Sequence, residues 1–407
     1  MSRPIYLDYN ATTPVDPRVL EVMLPFFGVR YGNPSSKRHA YGWEADEAVT
    51  IAREHLAALL HAEPVEILFT SGATEAANLA IKGYALANAS RGRHLVTVAT
   101  EHKAVLESCK SLARRGWDVT ILPVAADGTV SPSEVAAALR PDTVLVAVMW
   151  ANNETGVLHD IEAISRVVRA HGAALFSDAT QAVGKVPVDA GLVDLLACSG
   201  HKLYGPKGVG ALYVGRRDRR VRITPLVEGG GQENGLRGGT LNVPGIVGLG
   251  EAARVAALEM TVAPFPVAGS AFSSEPARFA ALRDAIETRL RDAVPGLRVN
   301  GGGAGRLPNT SSLLFPGVTS ADLLAEARGV ALSTGSACSS GTGTASHALK
   351  AMGLSDAEGS STVRLSVGRF TTDDEAAQAA DEIARAWETV TSRRAVRRAA
   401  HPAATQA

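Results

Sequence analysis

A mostly parallel α/β sheet followed by a smaller α+β region is the fold class that the sequence predicts. Three observations predict it: short β-rich runs alternate with helical periodicity from about residue 65 to 215, helix start and stop signals fall between those runs, and the texture changes after about residue 255. Strands separated by helices lie parallel in one sheet with the helices on its faces.

The β-rich runs are 66–69, 95–98, 119–122, 143–148, 174–176 and 195–197. Ser131-Pro132-Ser133-Glu134 combines a capping box with proline at the first helical position, and Gly172 stops the helical pattern of 161–170. Beyond residue 255 the pattern predicts helices over 276–294, 321–328 and 372–391, and strands over 311–315 and 363–366. Residues 262–274, rich in proline, glycine, serine and alanine without a period, read as an exposed loop or insertion. The end of the chain, 393–407, reads as a disordered tail whose arginines are solvated.

Composition narrows the function. A chain of 407 residues exceeds one ordinary core, so two domains are expected. Forty-one acidic residues against 41 basic ones leave no net field to attract nucleic acid or anionic lipid. No apolar run approaches the roughly 20 residues that span a bilayer, and the N-terminus has no signal-peptide pattern, so a soluble, cytoplasmic protein is expected. Cys109, Cys198 and Cys338 form neither a disulfide framework nor a zinc spacing, and no intrinsic metal is expected.

The candidate chemistry centres on Ser199-Gly200-His201-Lys202-Leu203-Tyr204-Gly205-Pro206-Lys207-Gly208, which sets Lys202 in a glycine-rich loop. An ε-amine attacks an aldehyde only where its surroundings lower its pKa and fix its direction. The same segment also reads as a plain turn between strands. Other polar groups fall just past strand ends, the edge where open α/β sheets collect ligands. Ser71-Gly72-Ala73-Thr74 could hold a phosphate at a helix start, or could simply cap that helix. Asp178 ends a buried strand, where its carboxylate calls for a cation such as a pyridinium nitrogen, or else caps the next helix. His102 could stack on a flat cofactor or relay a proton as a catalytic residue, or be structural, and Asn152-Asn153-Glu154-Thr155-Gly156 is a polar loop after another strand. An anion cradle, a cation partner, a flat stacker and an imine-forming lysine at one sheet edge together describe a pyridoxal phosphate site.

On these residues the chain resembles the cysteine desulfurases, fold-type I pyridoxal phosphate enzymes of the class V aminotransferase group. The resemblance extends from Tyr6-Leu7-Asp8-Tyr9-Asn10-Ala11-Thr12-Thr13-Pro14 to Arg369-Phe370-Thr371, through Tyr31-Gly32-Asn33-Pro34-Ser35-Ser36, Asp178-Ala179-Thr180-Gln181 and Gly229-Gly230-Gly231-Gln232-Glu233-Asn234-Gly235-Leu236-Arg237-Gly238-Gly239-Thr240-Leu241. It implies a seven-stranded, mostly parallel sheet in a large domain at 15–258, and a small α+β domain made of 1–14 and 259–392. It implies that Lys202 forms the Schiff base, Asp178 pairs with the ring nitrogen, Gln181 bonds the ring hydroxyl and His102 stacks on the ring. Ala73, Thr74, Ser199 and His201 hold the phosphate, with Thr240 reaching over from the second subunit of a homodimer. Asn153 and Arg364 hold the substrate amino acid. Cys338, in Ser336-Ala337-Cys338-Ser339-Ser340, resembles the exposed cysteine loop of the group I desulfurases, where the thiolate takes the substrate sulfur as a persulfide. The implied partners are L-cysteine and a sulfur acceptor such as an iron–sulfur scaffold, with which Cys338 could transiently ligate a cluster. Selenocysteine lyase and a non-catalytic relative are the alternatives. Cys109 and Cys198, both in apolar contexts, are expected to be buried packing.

Overall fold

The computed structural model describes residues 3–216, 221–261, 273–334 and 345–400, the last four of these by backbone only. The central sheet has seven strands: β1 Ile67–Thr70, β2 His94–Val98, β3 Asp118–Leu122, β4 Thr143–Ala147, β5 Ala174–Asp178, β6 Leu195–Ser199 and β7 Gly210–Val214. Their order is β1-β7-β6-β5-β4-β2-β3, parallel throughout except that β7 runs antiparallel to both neighbours. Six strands coincide with the predicted runs. The seventh, β7, was not among them, and it makes the lysine loop a connection between strands β6 and β7 as well as a candidate site. All strands but the edge strand β3 are buried along their whole length, because apolar clusters cover both faces.

Gly210 shows why β7 begins where it does. A Cβ there would lie 2.5 Å from the Cys198 carbonyl oxygen and 2.6 Å from the Gly72 Cα, so the backbones of β6, β7 and the turn after β1 meet in space that only glycine leaves. The predicted helix signals are also present. Ser131 and Glu134 form the capping box of Pro132–Ala138, and Gly172, at a φ of 87°, ends Ile161–His171 in the left-handed conformation. One such cap stabilises by about 1 kcal/mol.

A second apolar core forms around a four-stranded antiparallel sheet, β8 Arg298–Val299, β9 Thr310–Leu314, β10 Ser333–Thr334 and β11 Thr362–Ser366, in the order β10-β11-β9-β8. Helices Glu275–Ala293 and Asp373–Ala400 pack on it. The N-terminal strand Ile5–Tyr6 pairs with Val330–Ala331, and Leu7 is fully buried in this core. Of the predicted insertion 262–274, residues 262–272 lie outside the described residues, and Ser274 caps the helix that begins at Glu275.

The tail expectation needs correction. The chain from 393 to Ala400 is helical, not disordered, while 401–407 lie outside the described residues. Arg393 pairs with Glu326 at 2.6 Å, and Arg394 with Asp322 at 2.6 Å and with the Gly317 carbonyl at 2.7 Å. The acidic partners sit on Ser320–Glu326, some seventy residues earlier in the chain, which local composition does not reveal. No helix among the described residues is long and apolar enough to cross a membrane.

Candidate active site

A cavity of about 750 Å³ opens at the carboxyl ends of β1, β4, β5 and β6. Ten of the predicted site residues line it: Ala73, Thr74, His102, Asn153, Asp178, Gln181, Ser199, His201, Lys202 and Arg364. Thr240 does not line it and is exposed on this chain, and Cys338 lies outside the described residues.

Lys202 sits in the tight turn Gly200–Lys202 directly after β6, and Tyr204, at a φ of 61°, turns the chain away behind it. Its Nζ donates to the main-chain carbonyls of Asn10 and Ala11, the second at 2.8 Å, so the N-terminal segment forms part of the wall. Asp178, the last residue of β5, is 6 % exposed and accepts the Thr180 N–H at 3.0 Å. No helix comes next to be capped. The turn bond and a buried carboxyl group lining the cavity therefore coexist.

His102 caps Lys103–Ala113 by accepting the Ala104 N–H on Nδ1 at 3.1 Å. An accepting Nδ1 leaves the proton of the neutral ring on Nε2. Burial pushes the His102 pKa down against the pull of Asp178, which favours the neutral ring, and His102 lines the cavity. His201 is likewise pushed down, to about 4, by burial and then by Lys202, Lys207 and Lys185, and its Nδ1 lies 3.1 Å from the Thr12 hydroxyl.

In the turn after β1 the side-chain cap is absent. Gly72, at a φ of 149°, occupies the cap position of Ala73–Asn78, and no side chain caps that helix. Ala73 and Thr74 at its start line the cavity, as do Ser199 and His201. A backbone N-terminus of this kind favours an anion. Arg364, on β11, comes from the second sheet and is 2 % exposed. Its Nη2 meets Asp8 at 2.7 Å and its Nη1 donates to the Asn153 carbonyl at 3.0 Å, while Nε has no partner among the described residues.

Several groups at the site were not given roles from sequence. Glu154 lines the cavity, and burial pushes its carboxyl up to about 7. Glu101 is fully buried before His102, with its pKa pushed well up by burial and by Asp178; it accepts the Met149 N–H on Oε1 and leaves Oε2 without a partner among the described residues. His347, nine positions past Cys338, lines the cavity too, its Nε2 2.8 Å from the Glu101 carbonyl. Asn10 joins the walls by accepting from Gln181 Nε2 at 3.0 Å through its carbonyl. Cys109 and Cys198 are buried as expected, and burial pushes both thiols up to about 12.

An uncapped helix start, a buried carboxylate, a neutral imidazole and an inward lysine at one sheet edge fit a pyridoxal phosphate enzyme of the doubly wound α/β type. The class-V aminotransferase family matches residues 5–378, and the chain belongs to that family. Within it the chain falls among the cysteine desulfurases. The protein named cysteine desulfurase IscS from Anaeromyxobacter dehalogenans (strain 2CP-C) is 50 % identical over 377 residues, which cover 92 % of this chain and 90 % of that one. The protein of the same name from Serratia proteamaculans (strain 568) is 47 % identical over 379 residues, with the same coverage. Among solved structures, a NifS-like protein is 36 % identical with a TM-score of 0.84, covering 95 % of this chain and 100 % of its own. A structure described as SspA in complex with cysteine is 38 % identical with a TM-score of 0.77, covering 90 % and 99 %.

Proposed function

We propose that the protein withdraws sulfur from L-cysteine, releasing L-alanine and leaving a persulfide on Cys338 for transfer to an acceptor. The observation that carries this reading is the convergence of ten residues from separate segments on one cavity around Lys202. The residues present fit pyridoxal 5'-phosphate, the cofactor of this family. When bound, it supplies an electron sink for the carbanion formed at the substrate Cα.

The chain's own residues supply the rest. Asp178 would hold positive charge on the ring nitrogen, and the neutral His102 ring would stack on the cofactor ring. The N–H groups of Ala73 and Thr74, the Thr74 and Ser199 hydroxyls and His201 would hold the phosphate. Thr240, which is exposed and away from its own chain's cavity, completes that set from a second copy in a homodimer. Arg364, aimed by Asp8 and the Asn153 carbonyl, forks the substrate carboxylate. Lys202 Nζ moves the Cα proton. The Cys338 thiolate then attacks the substrate sulfur: an S–S bond forms, the Cβ–S bond breaks with its electron pair going to Cβ, and a proton on Cβ completes alanine. L-cysteine and the Cys338 thiol thus balance alanine and a Cys338 persulfide. The persulfide would pass to an acceptor for iron–sulfur cluster, other thiocofactor or thio-tRNA assembly.

The test is incubation of the pyridoxal phosphate-loaded protein with L-cysteine and a reductant. Alanine and sulfide should form in equal amounts, Cys338→Ala should abolish turnover, and Lys202→Ala should lose the visible band of the bound cofactor. Undiminished turnover with Cys338→Ala would remove Cys338 from the mechanism.

A further inference from the structure

Lys185 has no part in the mechanism above, yet it lies directly behind the site. It is 2 % exposed in the turn after β5, between the buried Val183 and the partly buried Val186 of the apolar core. Its Nζ donates to the Gln181 main-chain carbonyl at 3.1 Å and lies 3.5 Å from Gln181 Oε1, the outer limit of a hydrogen bond.

A terminal amide can sit in either of two orientations that exchange its oxygen and nitrogen, and its partners decide between them. On one side the Gln181 amide meets the Asn10 carbonyl, 3.0 Å away, which can only accept. On the other it meets an amine that donates to the main-chain carbonyl of the same residue. The Asn10 carbonyl demands Nε2, and the Lys185 amine, donating, favours the same choice, with Oε1 toward Lys185. The Asn10 carbonyl takes one of the two Nε2 hydrogens. The other is available to the cavity that Gln181 lines.

We propose that Lys185 is a positioning residue that locks the Gln181 amide so that its N–H, and not its oxygen, faces the cofactor. The proposal rests on the pyridoxal phosphate reading. A donor at that place holds the ring oxygen anionic and weakens its grip on the proton it shares with the Lys202 nitrogen. Charge is the competing explanation, because Lys202 and Glu275 both act on Lys185, and Lys185 in turn acts on His201. The test must separate charge from orientation.

The measurement is the pH midpoint of the visible absorption band of the pyridoxal phosphate-loaded protein, for the wild type, Lys185→Met, Gln181→Ala and the double variant. Lys185→Met should raise the midpoint by roughly half to one pH unit. In the Gln181→Ala background that shift should fall to less than half, since the amide through which Lys185 acts is gone. An unmoved midpoint overturns the proposal. So does a shift of the same size in both backgrounds, which would show charge acting alone. If Lys185→Met does not fold, Lys185→Leu gives the same comparison. A wild-type protein that takes up no pyridoxal phosphate would overturn the cofactor reading, and this proposal with it.

Discussion

Burial sorts the cysteines more sharply than any other property. Cys109 and Cys198 are 2 % and 3 % exposed, and burial pushes both thiols up to about 12, so at neutral pH they hold almost no thiolate. Cys338 stands among small polar residues with nothing apolar beside it but Ala337. Brief iodoacetamide treatment of the folded protein at pH 7.5, followed by peptide mass spectrometry, should therefore modify Cys338 at least about tenfold faster than either of the others. Comparable labelling of Cys198 would contradict this assignment. The same contrast explains which site residues were legible in the sequence. Lys202, Asp178 and His102 are chemically distinctive types placed just past apolar runs, and strand ends can be read from pattern. Glu101 and Glu154 were not legible, because what makes them unusual is the protein folded over them. Lys185 did leave a signal. It is one of only eight lysines and stands in Val183-Gly184-Lys185-Val186, close to a glycine as Lys202 is in its loop but flanked by valines.

At the scale of elements, the turn after β1, the lysine turn after β6 and the start of β7 act as one unit. The alternation of β-rich runs revealed the parallel strands. It did not reveal β7, because no helix longer than a single turn separates β7 from β6 and the glycine-rich loop between them breaks the alternation. Ser199 pairs with Gly210, and the Gly72 Cα stands over Gly210 where a side chain would otherwise be. Gly210→Ala would push a methyl group into backbone on both sides, which cannot give way as a side-chain tip can. Overpacking of this kind costs about 1–3 kcal/mol. Its second effect should be local: displacing Gly72 moves the uncapped start of Ala73–Asn78. Gly210→Ala should thus lower the melting temperature and also weaken pyridoxal phosphate affinity, measured by fluorescence titration of the cofactor-free protein. A melting shift with unchanged affinity would uncouple the strand start from the phosphate end of the site.

Across the whole molecule, the two cores meet along a polar seam, and the site lies on it. Asn10 pins that seam: its Nδ2 donates to Thr310 Oγ1 at 2.8 Å and to the Asn153 carbonyl at 3.3 Å, and its Oδ1 accepts from Asn309 at 3.1 Å. Contacts spanning about three hundred residues of chain carry no local pattern, which is why a motif containing Asn10 was visible while its role was not. Farther along the seam, Leu158 N–H donates to the Gly305 carbonyl at 2.8 Å, and the next residue, His159, is 5 % exposed with neither ring nitrogen partnered among the described residues. Burial pushes the His159 pKa down to about 4, opposed only by Asp127. Linkage fixes the sign of its effect on stability. The folded pKa lies below the ordinary value of about 6.5, so the fold favours the neutral ring. That contribution is intact above about pH 6.5 and is lost as pH falls toward 4, where the folded protein must begin to accept a charge at the seam. His159→Leu removes the titration. Relative to the wild type, the variant should therefore gain roughly 2–3 kcal/mol between pH 7.5 and pH 4. Urea unfolding of both proteins at the two pH values measures that difference. An equal response of the two proteins to acid would mean that His159 takes its proton without cost, and that the seam between the cores admits water.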